Sequence, residues 1–505
     1  MTPTAIRELR QLLKESQAQF GQRFEVSQIT IAHWESGRSQ PAAQRRDQLE
    51  VLATNAQPVA SASASFRPIQ YLGSKQRLSD TIVAVIDDVA PDRSRVGDLF
   101  SGSGAISSLL GQGRPVTAVD LQAYSHALTS ALLQGEAEHF EQLTALPFRT
   151  RLGETAARIS LCMAPLLAFE AQALQEAAAG EPQRLAHLVE FGSLAVHAQR
   201  PLSHCPPDLG LLMTEALARL DASGLQGGDL TATRYFGGPY FSYAQAIALD
   251  AIHIAASTLP TPLSRGCAMA VLLSSASETV NTVGKQFAQP MKLMKPDGRV
   301  PPLLLSRALR DRSLDVGAVF HDWSMRWRDH VAPGVRHDNR VVCGDVIEFV
   351  SQDRECGMYY ADPPYTIDHY SRFYHVLETL VLRDSPRLDE MKKRGEVSIM
   401  RGIYRTGRHQ SSFCVPSQAA SAFDRLFAAT ARRGTPLLLS YSPFDEQEGD
   451  RSRLLALAEM VAIAERYYSQ VSVMEIAEHS HRKLNRKAHN TSVRKDAERL
   501  LICRS

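Results

Sequence analysis

Cysteine is scarce and unpatterned in this sequence of 505 residues. Its seven cysteines are scattered and none forms a CxxC pair, which argues against a zinc site or a disulfide framework. No apolar run approaches membrane-spanning length, and the opening stretch MTPTAIRELRQLLKES has no apolar signal core. The sequence therefore predicts a soluble, cytoplasmic protein with no metal and no membrane partner.

An excess of charge of one sign is also lacking. The chain has 56 Lys and Arg against 54 Asp and Glu, a net charge of +2, so any surface for nucleic acid must come from local clusters. No internal repeat and no nuclease or helicase motif is found. The composition, 44% hydrophobic and 22% charged, is that of a globular protein, and the length predicts about two to four domains.

The N-terminal residues carry the signals of short helices separated by tight turns. Ser16 and Ser27 are good N-caps for SQAQFGQRF and VSQITIAHWESG, and Gly37 stands where the second helix would stop. This arrangement predicts an all-α helix-turn-helix domain over residues 1–53. The Ala/Ser/Pro-rich stretch over residues 54–66 predicts a flexible linker.

The segment VSQITIAHWESG resembles the recognition helix of the repressor-like helix-turn-helix family, in which the pattern is VSxxTIxxWExG. That resemblance implies that Val26, Ile31 and Trp34 are core residues. It also implies a surface for the major groove of DNA, where Ile29 and Ala32 would be exposed. A small helical bundle for docking or dimerisation is the alternative interpretation. The polar DNA-contacting side chains that the resemblance implies are Gln28, Thr30 and His33.

A glycine turn, DLFSGSG at Asp98–Gly104, follows an apolar segment that predicts a strand and precedes the helical stretch AISSLLGQG. A strand, a glycine turn and a helix make a nucleotide-binding unit, in which Gly102 and Gly104 permit positive φ and close approach of a ligand. The next strand, PVTAVD, ends in Asp120, an acid placed to bind ribose hydroxyls. The pattern is DxFxGxG, not the GxGxxG of dinucleotide enzymes.

A second motif, ADPPY at Ala361–Tyr365, directly follows the apolar segment CGMYY. The exocyclic amine of adenine is a poor nucleophile, so catalysis needs acceptors for its two hydrogens. The carboxylate of Asp362 and the carbonyl of Pro363 can supply them, and the two adjacent prolines stiffen the turn. Tyr365 offers a face on which an extruded base can stack. The predicted catalytic residues are Asp362, Pro363, Pro364 and Tyr365.

Together with YLGSKQRL at Tyr71–Leu78, these motifs and their order resemble those of the alpha-class (Dam-like) adenine-N6 DNA methyltransferases. The resemblance implies an α/β, Rossmann-like sheet that binds S-adenosyl-L-methionine, with double-stranded DNA as the substrate. It implies that Gly73 and Lys75 lie against the methionine end of the cofactor. Asp345 would contact the cofactor's adenine amino group, cap the following helix, or do both. The implied cofactor-binding residues are Tyr71, Gly73, Lys75, Asp98, Phe100, Gly102, Gly104, Asp120 and Asp345.

The rest of the chain is expected to read DNA and to complete the sheet. The resemblance implies a cofactor part at 67–128, a mainly helical target-recognition insert at 129–338 and a catalytic part at 339–505. Segments TPLLLSYS, VSVMEIAE and RLLICRS predict further strands, the last two a closing hairpin. DNA or cofactor contacts, or equally packing turns, are expected from Arg234, Tyr235, Tyr240, Lys285 and Gln286.

The basic stretch MKKRGEVSIMRGIYRTGRHQSSF follows the catalytic motif. Its position there favours a loop that closes over DNA and tracks phosphates, although a solvated face is the usual explanation for such charges. The candidate phosphate contacts are Lys392, Lys393, Arg394, Arg401, Arg405 and Arg408.

The sequence thus predicts site-specific methylation of adenine N6 on a flipped-out base, in restriction–modification or phage defence. Methylation of cytosine N4 or of RNA is one alternative, because these amines demand the same acceptors. Another is a helix-turn-helix transcriptional regulator with secondary methylation. The sequence leaves open the recognition site, the oligomeric state, and whether a cognate nuclease or defence-system subunit exists.

Overall fold

A computed structural model of the chain resolves two compact units, residues 1–66 and 67–505. The structure describes residues 66–71, 75, 78–202, 204–225, 227–331, 337–364, 370–393, 396–441, 454–476 and 498–505. In the N-terminal unit it also describes residues 6, 10, 17–24, 26–36, 38–42, 45, 46, 48 and 49. The predicted linker lies almost entirely outside these ranges.

The N-terminal unit contains two described helices, α1 (Gln17–Arg23) and α2 (Gln28–Ser36), joined by a short turn. Both begin one residue after the serine that was predicted to cap them. The backbone N–H of Thr30 donates to Ser27 Oγ at 3.2 Å, as expected of a capped helix start. The prediction that Val26, Ile31 and Trp34 are core residues is also confirmed, since Ile31 and Trp34 are buried and Val26 packs against them. The buried apolar cluster consists of Ile6, Phe20, Phe24, Ile31, Trp34 and Leu49.

The larger unit is built on one seven-stranded sheet. Its strands are β1 (Val96–Leu99), β2 (Val116–Asp120), β3 (Arg340–Cys343), β4 (Met358–Ala361), β7 (Leu437–Tyr441), β8 (Gln470–Ile476) and β9 (Glu498–Arg504). The order is β3-β2-β1-β4-β7-β9-β8, with the first five strands parallel and β9 antiparallel to both neighbours. The predicted α/β class, the strands and the closing antiparallel pair are therefore confirmed.

The central strands are apolar because both faces of the sheet are covered. β1, β4 and β7 are buried along their whole length, and successive residues point to opposite faces. In β4, Met358 and Tyr360 join one apolar cluster, whereas Tyr359 and Ala361 join the other. This double burial fixes the register of the strand ends, where the two sequence motifs lie.

Helices cover the sheet and fill the long segment between β2 and β3. Those that cover the sheet include α3 (Ser79–Val89), α4 (Ala105–Leu110), α5 (Ala123–Gln134), α15 (Val346–Gln352), α18 (Ala419–Ala431) and α19 (Leu457–Ala464). After the catalytic motif come α16 (Tyr370–Phe373) and α17 (His375–Leu382).

The segment between β2 and β3 is mainly helical, as predicted. It contains α6 (Ala137–Thr144), α7 (Leu146–Ala178), α8 (Gln183–Phe191), α9 (Leu194–Gln199), α10 (Pro207–Ala222), α11 (Tyr243–Ala256), α12 (Pro262–Thr279), α13 (Pro302–Arg312) and α14 (Val316–His330). A π-helix, Ala232–Phe236, precedes α11. We call this segment the helical insert; its boundaries as a recognition domain stay a prediction.

Helix α7 differs from the expectation that no apolar run approaches membrane-spanning length. By length and composition alone, this helix of 33 residues is long and apolar enough to cross a membrane. Much of its apolar character comes from alanine, and its side chains Ile159, Met163 and Leu166 are buried in a cluster shared with α10 and α11. This packing covers part of the helix: 22% of its most apolar window is buried among the described residues, and Leu161 is 74% exposed.

Part of the basic stretch also differs from the loop that was expected. Residues Glu390–Lys393 (β5) and Glu396–Ile399 (β6) pair as antiparallel strands of a separate small sheet. Lys392 is exposed on β5, opposite Val397. Only β6, EVSI, alternates polar and apolar residues as a strand does, so the charged EMKK gave no strand signal.

Candidate active site

The two sequence motifs meet at the carboxyl ends of β1 and β4, which lie side by side in the sheet. Leu99 and Ala361 are register partners, so the residues that follow them, Phe100 and Asp362, leave the sheet at the same level. From β1 the chain proceeds outward to β2 and β3, and from β4 in the opposite direction to β7. Such a reversal of strand order opens a crevice, which is the usual ligand site of a parallel α/β sheet.

The glycine turn lines one side of this crevice. Phe100, Gly102 and Gly104 have φ of 66°, 55° and 77°, in the left-handed region. A Cβ at Gly102 would lie 2.6 Å from the hydroxyl of Tyr71, so only glycine fits there. Gly104 directly precedes α4, and a Cβ on it would meet Leu132 at 2.6 Å. The turn therefore needs both glycines, for backbone conformation and for space.

Asp120 lies at the end of β2 and is fixed by backbone amides. Its Oδ2 accepts from Gly102 N and its Oδ1 accepts from Gln122 N, each at 2.9 Å. Burial raises the pKa of Asp120, and these hydrogen bonds oppose that rise. Asp120 also lines the cavity described below, so its position is compatible with the predicted role of binding ribose hydroxyls.

Asp98 is a second buried acid of the crevice. Ser107 Oγ donates a hydrogen bond to its carboxylate. Burial raises its pKa to about 7, the hydrogen bond from Ser107 opposes the rise, and the charges of Asp362 and Asp120 add to it. Asp98 thus changes charge near neutral pH and would favour a cationic ligand beside it.

The predicted catalytic acid, Asp362, is held by Lys75. Lys75 Nζ lies 3.1 Å from Asp362 Oδ1 and 3.0 Å from Glu498 Oε1. Lys75 is 5% exposed and Glu498 0%, whereas Asp362 is 22% exposed and faces the cavity. The predicted place of Lys75 against the methionine end of the cofactor stays a prediction; in the structure its partners include the predicted catalytic acid and Glu498. Pro363 is buried and Pro364 half-buried, while Tyr365 and Gly73 lie outside the described residues.

One cavity, of about 410 Å³, joins these groups. One wall carries the predicted residues Tyr71, Lys75, Asp98, Phe100, Gly102, Asp120, Asp345, Asp362 and Pro364. The segment 409–414 also lines the cavity, and its Phe413 ring packs edge-on against Phe100 with centroids 5.2 Å apart. Sequence reasoning assigned this segment to the basic stretch and missed its place in the cavity. The apolar residues at its end, Phe413 and Cys414, were the feature of the sequence that indicated a buried position.

Several aromatic side chains cluster at the cavity. The rings of Tyr71 and Tyr374 are stacked with centroids 4.9 Å apart, and Tyr124 lies 5.2 Å from Tyr374. Tyr370, whose ring is 6.0 Å from that of Tyr71, also lines the cavity. Tyr370 is the first described residue after the catalytic motif, and it offers a π-face near the place predicted for the target base.

Asp345 lines the cavity and also caps α15. Its Oδ1 accepts from the backbone N–H groups of Ile347 and Glu348 at 2.9 and 3.0 Å. The predicted capping role is therefore confirmed. Because one oxygen serves the cap, the contact to a cofactor amino group stays a prediction that this geometry permits.

The predicted DNA-contacting residues of α2 are accessible to different degrees. Gln28 is exposed, and Thr30 and His33 are half-buried. The hydroxyl of Thr30 lies 2.9 Å from that of Ser27, within hydrogen-bonding distance. Ile29, beside them, is 66% exposed. Their contact with DNA stays a prediction.

Three arginines predicted to track phosphates are engaged by carboxylates. Arg405 forms a two-pronged pair with Asp384. Arg408 donates to Asp389 at 2.8 Å and stacks over Tyr404. Arg401 reaches Glu190 at 3.5 Å. Phosphate contact by these residues would compete with the pairs. Lys393 belongs to β5 and its side chain lies outside the described residues, as does the whole of Arg394.

The candidate contacts from the helical insert have packing partners. Tyr240 is fully buried, and its hydroxyl donates to the carbonyls of Gly402 and Phe287 at 3.0 and 3.1 Å. The hydroxyl of Tyr235 donates to Pro386 O. Arg234 pairs with Asp221, and Lys285 with Asp311 at 3.1 Å. For these four residues the structure favours the packing alternative; Gln286 is half-buried.

Comparison with known proteins agrees with this geometry. Residues 71–156 match the family described as D12 class N6 adenine-specific DNA methyltransferase. The chain is also 30% identical over 141 residues, 28% of its length, to the modification methylase LlaI of Lactococcus lactis subsp. lactis. It spans 19% of the length of that relative. The resemblance predicted from the motifs is therefore confirmed, and the family match covers the glycine turn and Asp120.

Proposed function

We propose that this chain, a relative of the D12-class adenine-N6 DNA methyltransferases, transfers a methyl group from S-adenosyl-L-methionine to adenine N6 in double-stranded DNA. The observation that carries the proposal is the meeting of Asp98–Gly104 and Asp362–Pro364 at one cavity, where the strand order reverses. The name of the relative, a modification methylase, supports a place in restriction–modification or phage defence. A cytoplasmic location is part of the proposal.

The cavity fits the cofactor in size and in donor set. Its volume of about 410 Å³ lies in the range of small-ligand sites, roughly 300–1,000 Å³. Asp120 would hold the ribose hydroxyls, and Asp345 the adenine amino group. Asp98 would face a positively charged part of the ligand, because a carboxylate there is stabilised by a cation. When bound, the cofactor supplies an electrophilic methyl group on a sulfonium.

The protein groups around Asp362 are suited to a planar amine. Lys75 contacts Oδ1 and so orients the carboxylate, which would accept a hydrogen from the amine. The Pro363 carbonyl would accept the second hydrogen. These acceptors belong to a turn stiffened by two prolines and anchored to a buried strand, so they are preorganised.

The target base must leave the duplex to reach this cavity, and a π-face is needed to hold it. Tyr365 stays the predicted stacking residue, and the described ring of Tyr370 at the cavity wall supports an aromatic base pocket. Once the amine and the methyl donor are held together, positioning provides much of the rate, and no covalent enzyme intermediate is required.

The N-terminal unit is proposed to be a helix-turn-helix that binds DNA through α2. The observation that favours this is the outward Gln28 and Ile29 above a core of Ile31 and Trp34. Whether it guides methylation or regulates transcription separately is open to experiment, as is the involvement of a partner nuclease.

Single-molecule sequencing of DNA from cells expressing the wild-type chain, Asp362→Ala and Gln28→Ala/His33→Ala tests the function. We expect modified adenine at one short sequence with the wild-type chain and at least a hundredfold less with Asp362→Ala, because preorganised acceptors contribute about that much to rate. Modified cytosine, or unmodified DNA with methylated RNA, would favour the alternative substrates. Normal methylation by the α2 variant would assign that helix a separate role.

A further inference from the structure

A buried glutamate at the start of the last strand lies behind the catalytic carboxylate. Glu498 Oε1 accepts a hydrogen bond from Ser440 Oγ at 2.8 Å and lies 3.0 Å from Lys75 Nζ. On its other side the same ammonium contacts Asp362 Oδ1. One lysine thus connects an acid of β9, which no motif singled out, to the acid predicted to bind the target amine.

We propose that Glu498 is a positioning residue for methyl transfer, which fixes Lys75 and remains its counter-charge when Asp362 takes up a proton from the target amine. This inference rests on the proposed function and adds a residue to it.

The charge changes during the reaction give Glu498 this role. A bond forms between the amine nitrogen and the methyl carbon, and the bond from that carbon to sulfur breaks with its electron pair going to sulfur. The nitrogen then carries a positive charge and loses one proton to the Asp362 carboxylate, which later releases it to water. While Asp362 is neutral, Lys75 still has Glu498 as a partner.

Without Glu498, protonation of Asp362 would leave a buried ammonium without this counter-charge. Removing a counter-charge from beside a buried ammonium is costly, so the proton would be accepted less readily. A second carboxylate beside Lys75 also weakens its hold on Asp362 as an anion, which makes Asp362 a better proton acceptor. Through both effects, Glu498 makes Asp362 a better proton acceptor.

The position of Glu498 in the sheet is otherwise suited to an apolar residue. Its neighbours in β9, Leu500 and Leu501, are buried and apolar, and its register partner on β8 is the buried Ile476. A buried carboxylate costs several kcal/mol in desolvation before its partners compensate for it. Packing alone therefore gives no reason for an acid here, whereas the contact with Lys75 does.

Other titratable groups lie near Asp362, and their changes of charge have to be separated from its own. Burial raises the pKa of the Tyr360 hydroxyl well above its ordinary value; the charges of Asp362, Asp98 and Glu498 add to the rise, and that of Lys75 opposes it. Tyr360 therefore stays neutral over the working range. Asp98, with a pKa of about 7, is one nearby group whose charge changes there; His409, whose pKa is lowered by burial, also lines the cavity. Saturation with the cofactor, which favours ionised Asp98, separates the two titrations.

The test compares Glu498→Gln with the wild-type chain and with Glu475→Gln. Glu475, on the neighbouring strand β8, is 63% exposed and pairs with Arg499, so it is a matched control. Single-turnover rates are measured from pH 5 to 9 with saturating S-adenosylmethionine labelled in the methyl group. The substrate is plasmid DNA from a host without adenine methylation.

We expect Glu498→Gln to lower the plateau rate by about tenfold or more, since positioned proton transfer contributes about 10²–10⁴. The acidic limb of its profile should move about one pH unit lower, because a carboxylate near Asp362 has been removed. Binding of S-adenosylhomocysteine should change less than about twofold, because Glu498 faces Lys75 and not the cavity. Glu475→Gln should match the wild-type chain.

Lys75→Met sharpens the result, because removal of the cation should move the acidic limb to higher pH. Limbs that move in the same direction in the two variants, or a rate loss without any movement, would overturn the proposal.

If Glu498→Gln fails to fold, as seen in its thermal melting, Ser440→Ala replaces it. That variant should lower the plateau several-fold with binding intact, and an unchanged plateau would contradict the inference. A wild-type chain that methylates no DNA would instead refute the proposed function itself.

Discussion

In the helical insert, Glu170 and Asp250 each face an arginine of their own, whereas at the cavity Lys75 faces two carboxylates at once. Arg312 reaches Glu170 at 3.4 Å, and Arg383 reaches Asp250 at 3.0 Å. Each of these acids also accepts from two backbone N–H groups at the start of a helical segment. Each acid is thus matched by one arginine, Glu170 by Arg312 of the insert and Asp250 by Arg383, which follows α17 outside the insert.

At the cavity the acids exceed the cation that serves them. Asp362 and Glu498 share Lys75. Burial raises the pKa of Asp98 to about 7, and the charges of Asp362 and Asp120 add to the rise. Negative charge held close together costs stability, but it favours a cationic ligand and a proton. Buried acids that are each paired with one arginine therefore stabilise the packing of the insert. Buried acids in excess of the nearby cation mark the place where chemistry is expected.

The largest effect should come from breaking a matched pair. Asp250→Ala leaves Arg383 buried without its carboxylate and removes the acceptor of Ala232 N and Thr233 N. We expect a loss of about 3–5 kcal/mol in the free energy of unfolding, measured as a lower midpoint in urea. The double variant Asp250→Leu/Arg383→Met should regain much of it. A single variant as stable as the wild-type chain would mean that the pair is not a structural element.

A smaller and opposite effect is expected at the cavity. Asp98 has a pKa of about 7, raised from 3.8, so its contribution to stability is fully present below pH 4 and is lost as the pH rises to 7. Asp98→Asn should flatten this part of the dependence of melting temperature on pH. Above pH 7 its melting temperature should equal or exceed that of the wild-type chain.

The same variant should bind S-adenosylmethionine about tenfold more weakly at pH 8, because a charge-assisted contact is lost. Wild-type affinity should fall as the pH drops below 7, since a proton must leave Asp98, and that of the variant should not. Calorimetric titration at several pH values measures both, with Asp88→Asn, an exposed acid of α3, as the control. Destabilisation equal to that of Asp250→Ala would remove the distinction between the two regions.

Sequence could predict the parts of the site that follow from local pattern. Asp98, Asp120 and Asp362 end apolar segments, and the carboxyl ends of parallel strands meet at one edge of a sheet, so their approach follows from motif and topology. Glu498 could not be found in this way. It comes at the start of a strand that was predicted correctly, but only the antiparallel position of β9 beside β7 brings it to Lys75.

The basic stretch shows why composition alone misleads. Arg405 and Arg408 suggested a surface for phosphates, but their acids, Asp384 and Asp389, precede them by 21 and 19 residues. No local spacing rule connects residues so far apart; the pairing depends on how the chain folds back after α17. The same limit applies to Phe413, whose contact with Phe100 joins two distant parts of the chain.

The smallest effect should come from an exposed ion pair, which provides a reference for the effects of Asp250→Ala and Asp98→Asn on stability. Glu215 and Arg219, one turn apart on α10, form an ion pair with both side chains nearly half exposed. We expect Arg219→Ala to change the free energy of unfolding by about 0.5 kcal/mol or less, because solvent screens the pair and alanine favours the helix. Urea unfolding at low and high salt measures it. A change comparable to that of Asp250→Ala would mean that burial is not what separates structural pairs from surface ones in this protein.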